Sequence, residues 1–286
     1  MTALFSFIAT PFGYVMRFIY ELVGSYGLSI ILFALLAKLI TLPFTVKSKR
    51  GMLDQQRLQP KLQELQKKYG KDRQKYSEEM QKLYDQEGVS PMAGCLPSLI
   101  TLPIMLGLYY VISQPLTYFM QLSPDEIAAV AKALGHTLGT SYTAQIELAG
   151  LMHQNFGALA GISDKLMAVD FNFLGMNLAA TPSFKVFNLL WIIPVLSGAT
   201  SFLYSKITMA MTAKAAGTQG AQNTQTQQMN GMMNLMMPAM SVYFGFILPA
   251  GLGVYWIANN LLMLAQDYLV TKFLMKQREK KNELQG

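Results

Sequence analysis

Lys38 is the residue from which chemistry can be argued. It stands inside YGLSIILFALLAKLITLPFTVKSKR, Tyr26 to Arg50. Residues 27–46 are enough, at about 1.5 Å per residue, to cross a hydrocarbon core of ~30 Å. Lys38 lies about eight residues from the charged end at Lys47, so roughly 12 Å deep. A lysine near the centre of a span costs roughly 2.5–3.5 kcal/mol and belongs against a bundle interior or a wet cavity. Snorkelling is the plain alternative, but a lysine stem of roughly 6 Å falls short of that depth. Thr41, Thr45 and Ser48 follow Lys38 at i+3, i+7 and i+10. Those positions share one helical face, a polar stripe headed by a cation and descending to one water surface.

Such a stripe needs other helices around it. The chain has 286 residues, 52% hydrophobic and 14% charged, with a formal net charge of +7. That is too few charges for a soluble domain, and it implies an all-α membrane protein. Of 23 basic residues, eleven fall in 47–88, two in 206–231 and five in 272–286, which is 18 on one side of the proposed membrane. The positive-inside rule makes that side the cytoplasm, and this clustering argues against nucleic acid as the main partner.

The expected order begins with an interfacial helix over 1–25, apolar but broken by Pro11, Arg17 and Glu21. A sixth span is the alternative there. Neither a standard signal peptide nor a cysteine for lipid attachment is expected at this end. The first span covers 26–46, and 47–88 forms a cytoplasmic helical hairpin. Leu58, Leu62, Leu65 and Tyr69 share a face on its first helix, bent or begun at Pro60, and Tyr76, Met80 and Leu83 on its second. Lys61, Lys67, Lys68, Lys71, Arg73 and Lys75 give it a basic surface suited to recruiting a partner.

The second span, 89–112, is kinked by Pro97 and Pro103. An extracytoplasmic helical segment fills 113–184. There Ser123-Pro-Asp-Glu126 reads as a capped helix start, and a second helix covers 143–160. The third span covers 185–205, a flexible cytoplasmic loop 206–231, the fourth span 232–248 and the fifth 249–271. A basic tail, 272–286, closes the chain. The expected fold is thus five transmembrane helices, some kinked, with a cytoplasmic hairpin and an interfacial N-terminal helix.

Two further polar stripes complement the one at Lys38. Ser197, Thr200, Ser201, Tyr204 and Thr208 share a face of the third span. Trp256, Asn259, Asn260, Met263 and Asp267 share one of the fifth. Helix-to-helix hydrogen bonding accounts for hydroxyls and amides, but not for a lysine. The candidate groove therefore comprises Lys38, Thr41, Thr45, Ser197, Thr200, Ser201, Tyr204, Trp256, Asn259 and Asn260. His136 and His153 lack neighbours of ligand type, and Cys95 is alone, so no metal or other cofactor is expected. Met229, Met232, Met233, Met236, Met237 and Met240 read as helix packing, with an adaptable apolar surface as the alternative.

The blocks LLAKLITLPF, LQPKLQELQKKYG, GVSPMAGCLPSLITLPIMLGLYY and LPAGLGVYWIANNLLMLAQ together resemble the YidC/Oxa/Alb membrane protein insertases. The resemblance covers roughly residues 20 to 275. It implies a five-helix core, N-terminus outside and C-terminus in the cytoplasm. It also implies a groove open to cytoplasm and lipid, and a hairpin that helps recruit substrate. Bacterial members most often carry arginine where this chain has Lys38. Lysine keeps the charge but gives up the planar guanidinium fork. Some members carry glutamine where this chain has Tyr204-Ser205.

On that reading, nascent membrane proteins are partners in a bacterial plasma membrane. Acidic tails are drawn to Lys38, and the apolar segment leaves sideways into lipid, driven by ~25 cal/mol per Å² of burial. No Walker-type phosphate loop is present, so no nucleotide is expected. A secretion channel and the ribosome, through the basic tail, are further partners to test, with anionic lipid an equal candidate for the tail. The oligomeric state is open, a monomer included. A small-solute or ion transporter is the competing class, although no inverted repeat supports it. An intramembrane enzyme would need a nucleophile–base pair or paired carboxylates inside the bilayer. Asp267 is the lone acid in the spans, so no catalytic residue is assigned.

Overall fold

The structure is a computed structural model that describes residues 2–90, 96–139, 141, 143–216 and 224–283. Cys95 and the start of the second span lie outside the described residues, as do the side chains of Met229, Met232 and Met233. Regular structure is helical apart from a two-residue ladder, β1 (Asn172–Phe173) against β2 (Met176–Asn177), and one bridge between Ser183 and Val186. The ten α-helices among the described residues are α1 (Thr2–Val23), α2 (Tyr26–Arg57), α3 (Gln59–Tyr69), α4 (Arg73–Glu87), α5 (Leu96–Ser113), α6 (Pro124–Ala133), α7 (Ala144–Gln154), α8 (Ile192–Ala216), α9 (Thr224–Ile247) and α10 (Ala250–Glu283). Two stretches, Tyr26–Arg57 and Leu189–Met211, are long and apolar enough to cross a membrane. Leu102–Ser113 and Leu235–Ile247 are shorter apolar helices. The chain is an all-α membrane protein. Leu35, Leu36, Leu39, Ile40, Leu42 and Phe44 are all exposed on α2, an apolar surface that belongs in lipid rather than water.

The chain divides into two compact units. The first comprises Met1–Ala37, Thr101–Thr200 and Ala239–Asn259. The second comprises Lys38–Ile100, Ser201–Pro238 and Asn260–Gly286.

In the first unit α1 packs on a π-helical turn, Pro115–Phe119. Gly13 sits against the Tyr118 carbonyl, so closely that no side chain fits. Tyr26 joins this core edge-on to Phe119 and Phe171, at ring-centre distances of 5.9 and 4.8 Å. Another face of α1 exposes Phe7, Tyr14, Phe18 and Leu22. Ser123 caps α6 in a capping box with Glu126. The first amides of α10 find acceptors outside the helix: Ala250 N donates to Ala180 O at 2.9 Å and Gly251 N to Leu178 O at 2.8 Å.

In the second unit α3 and α4 form the hairpin, with Leu58, Leu62 and Tyr84 buried between them and Met80, Leu83 and Val89 packed around. Asp72 caps α4 by accepting from Lys75 N at 3.0 Å, and Gly88 ends it in the left-handed region at φ 62°. A smaller core joins α2 to α10 through Leu53, Val270, Leu274 and Val46.

Several boundaries differ from those expected. Helix α2 continues past 46 to Arg57, because Val46 and Leu53 find partners on α10 and tertiary packing carries the helix through a polar stretch. The loop expected at 206–231 is helical at both ends, up to Ala216 and from Thr224. Helix α8 begins at Ile192, seven residues after Lys185, because the Trp191 indole N–H donates to the carbonyls of Ser183 and Val186 and folds that approach into a turn. The helix expected over 143–160 ends at Gln154 and gives way to a 3-10 turn, Phe156–Leu159. Helix α10 runs on into the basic tail as far as Glu283.

Candidate functional site

The second unit holds Lys38, Thr41 and Thr45 of α2, the part of α8 from Ser201 and the part of α10 from Asn260, which carries a buried carboxylate, Asp267. Lys38 is half-buried, and its carbonyl accepts from Gln266 Nε2 at 3.3 Å. Thr41 Oγ1 donates to Lys38 O at 3.4 Å, and Thr45 Oγ1 donates to Thr41 O at 3.1 Å. Each threonine thus donates its proton to a carbonyl of its own helix. Ser201 and Asn260 are buried in the same unit.

Asp267 is the centre of this set. Its Oδ2 accepts from Lys49 Nζ at 3.2 Å, from Tyr204 Oη at 3.3 Å and from Thr208 Oγ1 at 3.3 Å. Lys49 is 3% exposed and Asp267 7%. A buried ion pair keeps both charges only if further hydrogen bonds serve them, and the two hydroxyls do so for the carboxylate. Asp267 is also the acid whose charge acts on Lys38 at longer range. Among the described residues Lys38 itself makes no ion pair. By formal charge, two lysines and one carboxylate sum to one positive charge.

Neither Lys49 nor Asp267 was among the expected groove residues. Lys49 looked like part of the solvated basic segment. Its signal is its spacing: it follows Lys38 at i+11, three helical turns along the same face.

The other expected groove residues lie in the first unit. Ser197 is fully buried, and Thr200 Oγ1 donates to Leu196 O at 2.8 Å. Asn259 is buried, and Trp256 stacks on Phe244 at 5.8 Å between ring centres, which is packing. Met236, Met237 and Met240 are exposed, which favours for these three the adaptable apolar surface over packing.

On the hairpin, Lys61 is tied to Glu87 in an ion pair, which removes it from the free basic surface. Lys68 and Lys75 approach the Tyr69 ring, at 5.1 and 5.5 Å from its centre. Lys67, Lys71 and Arg73 are exposed at the same end. The outward-facing positive charge is thus concentrated about the turn at Gly70–Asp72. Among the described residues no group of acids, histidines or cysteines is placed to hold a metal ion.

Comparison with known proteins gives the family. The family model described as 60Kd inner membrane protein matches residues 18–279. A protein of Clostridium perfringens named membrane protein insertase YidC is 32% identical over 261 residues, covering 91% of this chain and 84% of that protein. One of the same name from Fusobacterium nucleatum is 27% identical, covering 87% of this chain and 88% of its own length. Another, from Geobacter sp., is 27% identical over 93% of this chain, but this chain spans only 37% of its length. All three names describe insertion into membranes, not a chemical reaction. The match to nearly the whole chain, with the polar faces on its apolar helices, places the chain in the 60Kd inner membrane protein family, the YidC/Oxa/Alb insertases.

Proposed function

We propose that this protein inserts nascent membrane proteins into the bacterial plasma membrane through a hydrated, cationic groove. The observation that carries the reading is Lys38, half-buried on an apolar helix and not ion-paired among the described residues, beside an acid already held by Lys49. In this reading the groove is the second unit's polar set. Acidic tails are attracted to Lys38 because charges are felt more strongly where water is scarce. Half-buried hydroxyls and amides give a short polar tail partners while it crosses. The apolar segment then passes into lipid, driven by burial of ~25 cal/mol per Å².

The hairpin's basic end at Lys67, Lys71 and Arg73 collects the substrate on the cytoplasmic side. The apolar parts of α2, α5, α8, α9 and α10 span the membrane five times, with α1 on the outer surface and the C-terminus inside. The exposed apolar stripe of α1 supports that placement. The protein would then need nascent chains and lipid as partners, and no nucleotide or cofactor. A secretion channel or a ribosome would act beside it rather than within the groove.

The test uses vesicles containing purified protein and a single-span substrate with an acidic N-terminal tail. Lys38→Ala should abolish protease protection of the tail, and Lys38→Arg should retain it. Insertion by Lys38→Ala at the wild-type level would remove the groove charge from the mechanism. Folded wild type that inserts nothing would favour a transporter instead.

A further inference from the structure

The mechanism proposed above leaves the Lys49–Asp267 pair unused, yet the pair lies buried in the same unit as Lys38. Three donors converge on one carboxylate oxygen there, within 3.3 Å. A structural clamp between α2, α8 and α10 needs no charge, since apolar residues of similar volume serve as well or better. What charge adds is a fixed electrostatic background for Lys38. With Asp267 ionised and both lysines protonated, the set carries one net positive charge. Without the acid it would carry two, and without Lys49 none.

We propose that Asp267, through its pairing with Lys49, determines the charge selectivity of the groove. This inference rests on the insertase reading above. The acid holds the surplus at one unit. Acidic tails are then favoured without being trapped, and neutral tails still pass. Two cations without that carboxylate would hold an acidic tail too firmly and turn basic tails away. No surplus at all would leave nothing to draw an acidic tail in. Asp267 is a specificity residue that acts through the field at Lys38, with no contact to substrate required of it.

The experiment is a charge series in reconstituted vesicles: wild type, Asp267→Asn, Lys49→Gln and the double variant. Each is offered two single-span substrates that differ only in an acidic or a neutral tail. The readout is the ratio of the two initial insertion rates within one preparation, so a loss of folded protein cancels. The ratio should follow net charge. It should rise about threefold in Asp267→Asn, fall about threefold in Lys49→Gln and return to the wild-type value in the double variant. A structural role alone would lower both rates together in the single variants and leave the ratio flat. That outcome overturns the inference while leaving the insertase reading intact, provided Lys38→Ala is still defective. If Lys38→Ala is not defective, the groove reading and this inference fail together.

Discussion

The carbonyl oxygen of Tyr118 occupies the place where a side chain on Gly13 would begin. The contact fixes α1 against the π-helical turn, and any larger residue must push the two apart. Gly13→Ala is expected to cost roughly 1–3 kcal/mol, the usual range for overpacking. A lowered melting temperature of the purified protein in detergent checks this, with Gly150→Ala, which meets nothing within 4 Å, as the control.

The buried ion pair predicts asymmetric damage. Lys49→Met leaves a buried carboxylate with two hydroxyls and no cation, a loss of roughly 3–5 kcal/mol. Asp267→Leu added to it removes the stranded charge and should restore much of the stability. Thermal unfolding of the two variants in the same detergent decides the matter: a double variant no more stable than the single would deny that stranded charge causes the loss.

The hairpin should come apart from within. Tyr84 is buried against Leu58 and Leu62, and Tyr84→Ala is expected to cost about 3 kcal/mol by leaving a cavity. Limited proteolysis of the intact protein should then cut within residues 58–88 while the membrane helices stay protected. Insertion should slow in the same variant, if the basic end must be presented on a folded hairpin.

Glu126 supplies a dependence on pH outside the membrane. The Ser163 hydroxyl, with the Ser123 backbone and hydroxyl and the Lys165 charge, holds its carboxyl down at about 2. The folded state favours the ionised form, so the stabilisation is present above the ordinary carboxylate range. It is lost as pH falls through about 2. The protection that Glu126 lends helix α6 should therefore be complete at neutral pH and fall progressively from the ordinary carboxylate range down to about 2. Hydrogen exchange along Pro124–Ala133 measures this, and protection unchanged down to about 2 would contradict it.

Those features whose signals are local were legible in the sequence. Ser123 and Glu126 stand three residues apart, and the cap forms as their spacing implies. Lys38, Thr41 and Thr45 share a helical face by arithmetic. What escaped was non-local: Lys49 and Asp267 are 218 positions apart, and nothing in either neighbourhood names the other. Composition assigned Lys49 to a basic segment, and helical spacing put Asp267 on the polar face of the fifth span without naming its partner. The same cause hid the true end of α2. Its polar turns persist because Leu53 meets Val270 and Leu274, a contact that hydropathy cannot register. The stretch around 206–231 misled differently, since glutamine, threonine and alanine suit a loop and a helix almost equally.

The threonines of α2 have a kinetic consequence. Thr41 and Thr45 each give their proton to a carbonyl one turn back, so neither side chain must swing to greet a passing chain. An amide moving along that wall exchanges one accepting oxygen for the next, and each exchange involves a bond worth about 1 kcal/mol net. Steps that shallow are crossed by thermal motion alone. In the groove proposed above, such a wall would serve a passing polypeptide as a low-friction track, holding it at every point and detaining it at none.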